Sequence, residues 1–67
     1  MAVVKVIELI AKSDQGWEDA ARKGLDEAAK SVKNINHMYV KDLQCKVADG
    51  RIVEYKLNLK VSFVVDN

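Results

Sequence analysis

Val53-Glu54-Tyr55-Lys56-Leu57-Asn58-Leu59-Lys60-Val61-Ser62-Phe63-Val64-Val65 alternates apolar and polar side chains almost without fault. A period of two is the side-chain period of a β-strand. Val53, Tyr55, Leu57, Leu59, Val61, Phe63 and Val65 therefore share one face, and Glu54, Lys56, Asn58, Lys60 and Ser62 share the other. A strand of this kind is dry on one side and polar on the other. The rest of the chain must supply the dry side's cover.

Immediately upstream, Asp49-Gly50 separates this strand, residues 51–65, from a second at 35–48, and the pair reads as a hairpin. Loop length sets the register. A strict two-residue turn would place Asp42 opposite Leu57 and Gln44 opposite Tyr55, on the apolar face. A three-residue loop with Gly50 in the left-handed region shifts the parity. Leu43 and Cys45 then join the apolar face, and Asp42 and Gln44 fall near Glu54, Lys56 and Asn58. The longer loop is expected, because it avoids burying a carboxylate against leucine.

Further upstream, Trp17, Ala20, Ala21, Leu25, Ala28, Ala29 and Val32 recur at helical spacing, predicting an amphipathic helix of about twenty residues. Ser13 is the expected N-cap and Asn34 the expected stop. Asp14, Glu18 and Asp19 near the start, with Lys30 and Lys33 near the end, complement the helix dipole. The stripe is mostly alanine, so the helix can lie close to a sheet, and Gly24 suits the closest approach. Residues 2–11 are rich in valine and isoleucine and read as the first strand. The order is β-α-β-β, an α+β class. The helix returns the chain, so the third strand fits between the other two in an antiparallel sheet of order 1-3-2. One helix cannot cover three long strands, and apolar surface should remain open, chiefly on the first strand and the early second.

Sixty-seven residues make a single domain spanning 1–67. Leu, Ile, Val and Phe account for 20 of them, enough to fold. A domain this small buries only roughly 60% of its unfolded surface and needs a staple. One cysteine excludes an internal disulfide. One Cys with one His makes structural zinc an unfavourable reading, leaving association between copies as the expected staple. A net charge of +1 gives no footprint for nucleic acid or an anionic membrane. No apolar run is long enough to span a bilayer and no signal peptide opens the chain, so the cytoplasm is the expected location.

Catalytic vocabulary is sparse, and no enzyme activity is expected. The three glycines are scattered and form no phosphate loop. His37 and Cys45, eight residues apart on one strand, are expected on one face roughly 26 Å apart, too far for a nucleophile and its base. Cys45 is read as a small buried hydrophobe. Asp42 and Glu54 lie among Lys41, Lys46 and Lys56 and read as a cross-strand charge network. Trp17 reads as a core anchor where the helix meets the sheet. His37, with Tyr39 on the same strand face, carries a planar ring suited to a flat ligand. The competing role is a solvated strand-end histidine.

Taken together, Lys5-Val6-Ile7-Glu8-Leu9-Ile10-Ala11-Lys12-Ser13, Gly16-Trp17-Glu18-Asp19-Ala20-Ala21, Asn34-Ile35-Asn36 and Glu54-Tyr55-Lys56-Leu57-Asn58-Leu59-Lys60-Val61-Ser62-Phe63 resemble the dodecins. The similarity runs from about residue 3 to residue 65. It implies a homododecamer with a hollow shell that stores flavin, FMN or riboflavin, stacked in pairs near two-fold axes. The stacking tryptophan of that family falls at His37, and the glutamine that meets the flavin edge falls at Lys56. The resemblance therefore assigns the ligand contacts to His37, Tyr39 and Lys56, and leaves any metal ligands unassigned. Imidazole stacks over less area than indole. Ammonium donates but cannot accept, so a flavin N–H is expected to lose its partner. The resemblance thus implies weakened flavin affinity, with FMN favoured over riboflavin if Lys56 or Lys60 meets its phosphate. The alternative it leaves open is a flavin-free shell holding another small ligand or cations.

Overall fold

The alternating segment forms the central strand of the sheet in the computed structural model, which describes residues 3–65. The expected first-strand residue Ala2 lies outside them. The elements are β1 (Val3–Ser13), α1 (Trp17–Ala29), β2 (Ile35–Ala48) and β3 (Arg51–Val65). The sheet order is β1-β3-β2, with both outer strands antiparallel to β3, as the alternation and the returning helix predict.

Helix α1 crosses the apolar face of β1 and β3. Leu57, Leu59 and Val61 are buried beneath it with Ala11, Ala20 and Ala28. Leu9, Trp17, Ala21 and Met38 pack around this core from its edges. Trp17 meets Tyr55 edge-on at a ring-centroid distance of 4.9 Å, which bears out its anchoring role. Gly24 marks the closest approach. A Cβ built there would stand 2.5 Å from Leu59 Cδ1 and 3.2 Å from Ala11 Cβ.

Three local expectations are corrected. The helix has 13 residues rather than about twenty, and Lys30, Val32 and Lys33 lie beyond it. The amides of Ser31 and Val32 both return to the Ala28 carbonyl, closing the last turn tightly. Asn34, with φ 65°, turns the chain into β2 instead of stopping the helix. The N-cap is Gly16 rather than Ser13. Ser13 is the buried last residue of β1. Its hydroxyl donates to Asp19 Oδ2 at 2.6 Å and accepts from the Gln15 amide at 2.8 Å, tying the helix start to the strand end. The serine hydroxyl's bond, with the Lys23 ammonium at 3.2 Å, holds the Asp19 carboxyl below its ordinary pKa, the serine bond being the largest cause.

The third correction concerns the hairpin. Ala48 pairs with Arg51, so the loop is the two-residue Asp49-Gly50 turn, with φ 54° and 73°. Positive φ at both positions is the type I′ signature. The register is nonetheless the expected one: Asp42 faces Asn58, Leu43 faces Leu57, and Cys45 faces Tyr55. The parity shift comes from a bulge at Val53, between the Val47–Ile52 and Lys46–Glu54 pairs, not from the loop.

Candidate functional site

The sheet face away from the helix holds the residues of interest. On β3 it carries Glu54, Lys56, Asn58, Lys60 and Ser62. Their cross-strand partners include Lys12, Ile10, Glu8 and Val6 on β1, and Lys46, Gln44, Asp42, Tyr39 and His37 on β2. The presence of His37 and Tyr39 on this face is the work of a second bulge. Val40 pairs with Leu59 and Asp42 with Asn58, leaving Lys41 unopposed. Were the register of residues 42–46 to continue, Tyr39 would face Val61 and His37 would face Phe63, on the helix side. The bulge turns both rings to the open face. Lys41 itself reaches across β3 to Glu8 Oε2 at 3.6 Å.

This bulge also overturns the expectation that His37 and Cys45 share a face. His37 lies opposite Ser62 and Cys45 opposite Tyr55, on opposite sides of the sheet. Cys45 is exposed rather than buried, because α1 packs over β1 and β3 and leaves this stretch of β2 uncovered. The open apolar surface includes β1 and the early part of β2, at Tyr39 and Val40, as expected, and continues on the hairpin through Leu43, Val47, Ile52 and Val53. The charge network is sparser than expected: Lys46 opposes Glu54, whereas Asp42 opposes an amide.

The three expected ligand contacts share the open face without forming one site. His37 and Lys56 are six β3 positions apart, about 20 Å at a strand rise of roughly 3.4 Å. Tyr39 lies opposite Lys60, nearer to His37. Lys56 instead lines a cavity of about 80 Å³ with Ile10, Asp42, Gln44 and Asn58. Lys56 and Gln44 are cross-strand partners, as are Asn58 and both Asp42 and Ile10. Asn58 Oδ1 is buried there without a hydrogen-bond partner among the described residues. Sequence reasoning missed Asn58. Its signal was a neutral amide at the centre of the middle strand, where the flanking polar positions are lysines. At the other end, Ser62 Oγ donates to Asn36 Oδ1 at 3.0 Å and fixes the bulge that precedes His37.

Among the described residues, no group of three or more His, Cys, Asp or Glu side chains is placed to hold a metal ion. Nor is any helix there long and apolar enough to cross a membrane.

A three-stranded sheet with one helix on one face, and apolar and planar side chains left open on the other, defines a small α+β subunit of the β-α-β-β type. The dodecin family profile matches residues 3–66, and the chain belongs to the dodecin family. It is 30% identical over 61 residues to the dodecin of Thermus thermophilus, covering 91% of this chain and 88% of that protein. It is 35% identical over 63 residues to the calcium dodecin of Mycobacterium tuberculosis, covering 94% and 89%. The crystal structure of a Thermus thermophilus dodecin mutant superposes with a TM-score of 0.93 over the whole of both chains, at 27% identity. That of the Mycobacterium tuberculosis protein, described as a calcium-chelating antigen with a novel calcium-binding site, gives 0.80 over 96% of this chain and 91% of that one.

Proposed function

We propose that this chain assembles as a hollow homododecamer of the dodecin type and holds flavin between copies, on the sheet face away from the helix. It acts as a binding and storage protein of the cytoplasm rather than as an enzyme. The observation that carries this is the open face itself. Val4, Val6, Ile10 and Tyr39 remain 54–63% exposed there, beside the exposed His37 ring and the polar cavity at Lys56. A 67-residue chain that leaves so much apolar surface open gains stability by covering it with further copies. His37 and Lys56, too far apart to hold one ring in a single copy, meet a common ligand only where copies adjoin.

Stacking on an aromatic side chain is worth about 1–3 kcal/mol per base in nucleic-acid binding. Imidazole in place of indole forfeits part of that. Lys56 or Lys60 recovers some affinity for FMN through its phosphate. The test is quenching of flavin fluorescence by wild-type protein beside His37→Trp with Lys56→Gln. The double variant should bind tighter by tenfold or more, a change of about 1.4 kcal/mol. Equal affinities would show that these positions do not face the ligand.

A second reading is a flavin-free shell that holds cations. Asp42, Gln44 and Asn58 set side-chain oxygens around one cavity, and the relative at 35% identity is named for calcium. A dodecamer that quenches no flavin but shows saturable calcium binding by calorimetry would favour it.

A further inference from the structure

Position 56 offers only an ammonium, which cannot accept a hydrogen bond. The structure supplies the missing acceptor two residues further along the same strand. Asn58 Oδ1 is buried, has no partner among the described residues, and belongs to a side chain that lines the Lys56 cavity. Buried polar atoms are seldom left unpaired, because they forfeit their bonds to water. An orphan acceptor on a side chain that lines a cavity is therefore a place for an incoming donor.

The rest of the cavity specifies what kind of donor. Its lining carries one cation, Lys56, one carboxylate, Asp42, and two amides, Gln44 and Asn58. The formal charge is balanced, which suits a neutral polar edge better than an ion. Lys56 and the Gln44 amide donate; Asp42 and Asn58 accept. Cross-strand pairing sets Gln44 beside Lys56 and Asp42 beside Asn58, so donors and acceptors alternate in adjacent rows. Ile10, opposite Asn58 on β1, adds an apolar wall for a ring. Ligand pockets usually run from about 300 to 1,000 Å³. At about 80 Å³ this cavity admits an edge of a molecule, and the body of the ligand lies outside it.

We infer that Asn58 is the specificity-determining acceptor of the ligand site. Its Oδ1 takes the N–H of a cyclic imide edge, while Lys56 and Gln44 donate to the flanking carbonyls. This rests on the flavin reading above, since the isoalloxazine N3–H lies between two carbonyls, and it moves the acceptor from position 56 to position 58. It also makes the imide N–H, rather than ring size alone, the feature that is selected.

The experiment compares riboflavin with its N3-methyl analogue by fluorescence titration, on wild-type protein, Asn58→Leu and Asn58→Asp. Light scattering confirms that each variant is assembled. Wild type should prefer riboflavin by about tenfold or more, the effect of leaving a buried acceptor unpaired. Asn58→Leu should abolish the preference, and Asn58→Asp, which keeps an acceptor, should retain it. Equal binding of the two flavins by wild type would overturn the inference while leaving the flavin reading intact. So would a preference that survives in Asn58→Leu. Binding of neither flavin would overturn the flavin reading and the inference together. Should Asn58→Leu fail to assemble, the wild-type comparison and Asn58→Asp still decide.

Discussion

Replacing Gly24 by alanine tests how tightly the helix is seated. On an exposed helix the change stabilises by about 1 kcal/mol, because glycine is the poorer helix former. Here the new methyl would stand 2.5 Å from Leu59 Cδ1, 3.2 Å from Ala11 Cβ and 3.3 Å from Leu9 Cδ1. Leu59 is fully buried, and Ala11 and Leu57 are core residues beside it. Its Cδ1 cannot swing away without displacing them. Overpacking of this kind costs about 1–3 kcal/mol. The two effects oppose, and with a contact this close overpacking wins, for a net loss of up to about 2 kcal/mol. Thermal melts at one fixed subunit concentration measure it, since association makes the midpoint concentration-dependent. Leu59→Val in the Gly24→Ala background removes the clashing carbon, so the double variant should lose less than the two single losses summed. A stabilised Gly24→Ala variant would refute the close helix–sheet contact.

Three further outcomes follow from the local geometry. Gly50→Ala should lose about 1 kcal/mol for conformation alone, since φ is 73° and no atom lies within 4 Å of the added Cβ; chemical denaturation measures it. Asp19 has its folded pKa depressed by Ser13 and Lys23. Its contribution is therefore present above the ordinary aspartate pKa and lost as pH falls through the lower folded value. The melting gap between wild type and Asp19→Asn should close between about pH 5 and the acid limit of folding. Deleting the unopposed Lys41 should join Val40 directly to Asp42 and keep Tyr39 opposite Lys60 and His37 opposite Ser62, so flavin quenching should persist in the folded variant; its loss would refute the assigned register.

Much of the fold was legible because β3 follows a strict period of two over most of its length. The helix was legible in type but not in extent. Val32 continues the apolar spacing beyond Ala29, yet the Ser31 and Val32 amides have already closed the last turn. Ser13 looked like a cap because serine commonly is one. The competing partner was the Asp19 carboxylate, which takes its hydroxyl. The hairpin shows a correct register reached through the wrong device: avoiding a carboxylate against Leu57 fixed the parity, but a bulge at Val53 supplied it. The site was least legible, because one unopposed residue at Lys41 decides which face His37 and Tyr39 take. The adjacent polar pair Lys41-Asp42, interrupting the alternation of β2, was its only trace.

The central claim is that the ligand lies on the sheet face away from the helix, where copies meet. The most direct measurement is a crystal structure of the protein grown with riboflavin. The account predicts a flat ring between copies, flanked by His37, with its imide edge in the cavity of Lys56, Gln44 and Asn58. A ring seated on the helix side, against Leu25 and Met38, would contradict it, as would an assembly that leaves Val4, Val6, Ile10 and Tyr39 facing bulk solvent with no flavin on them.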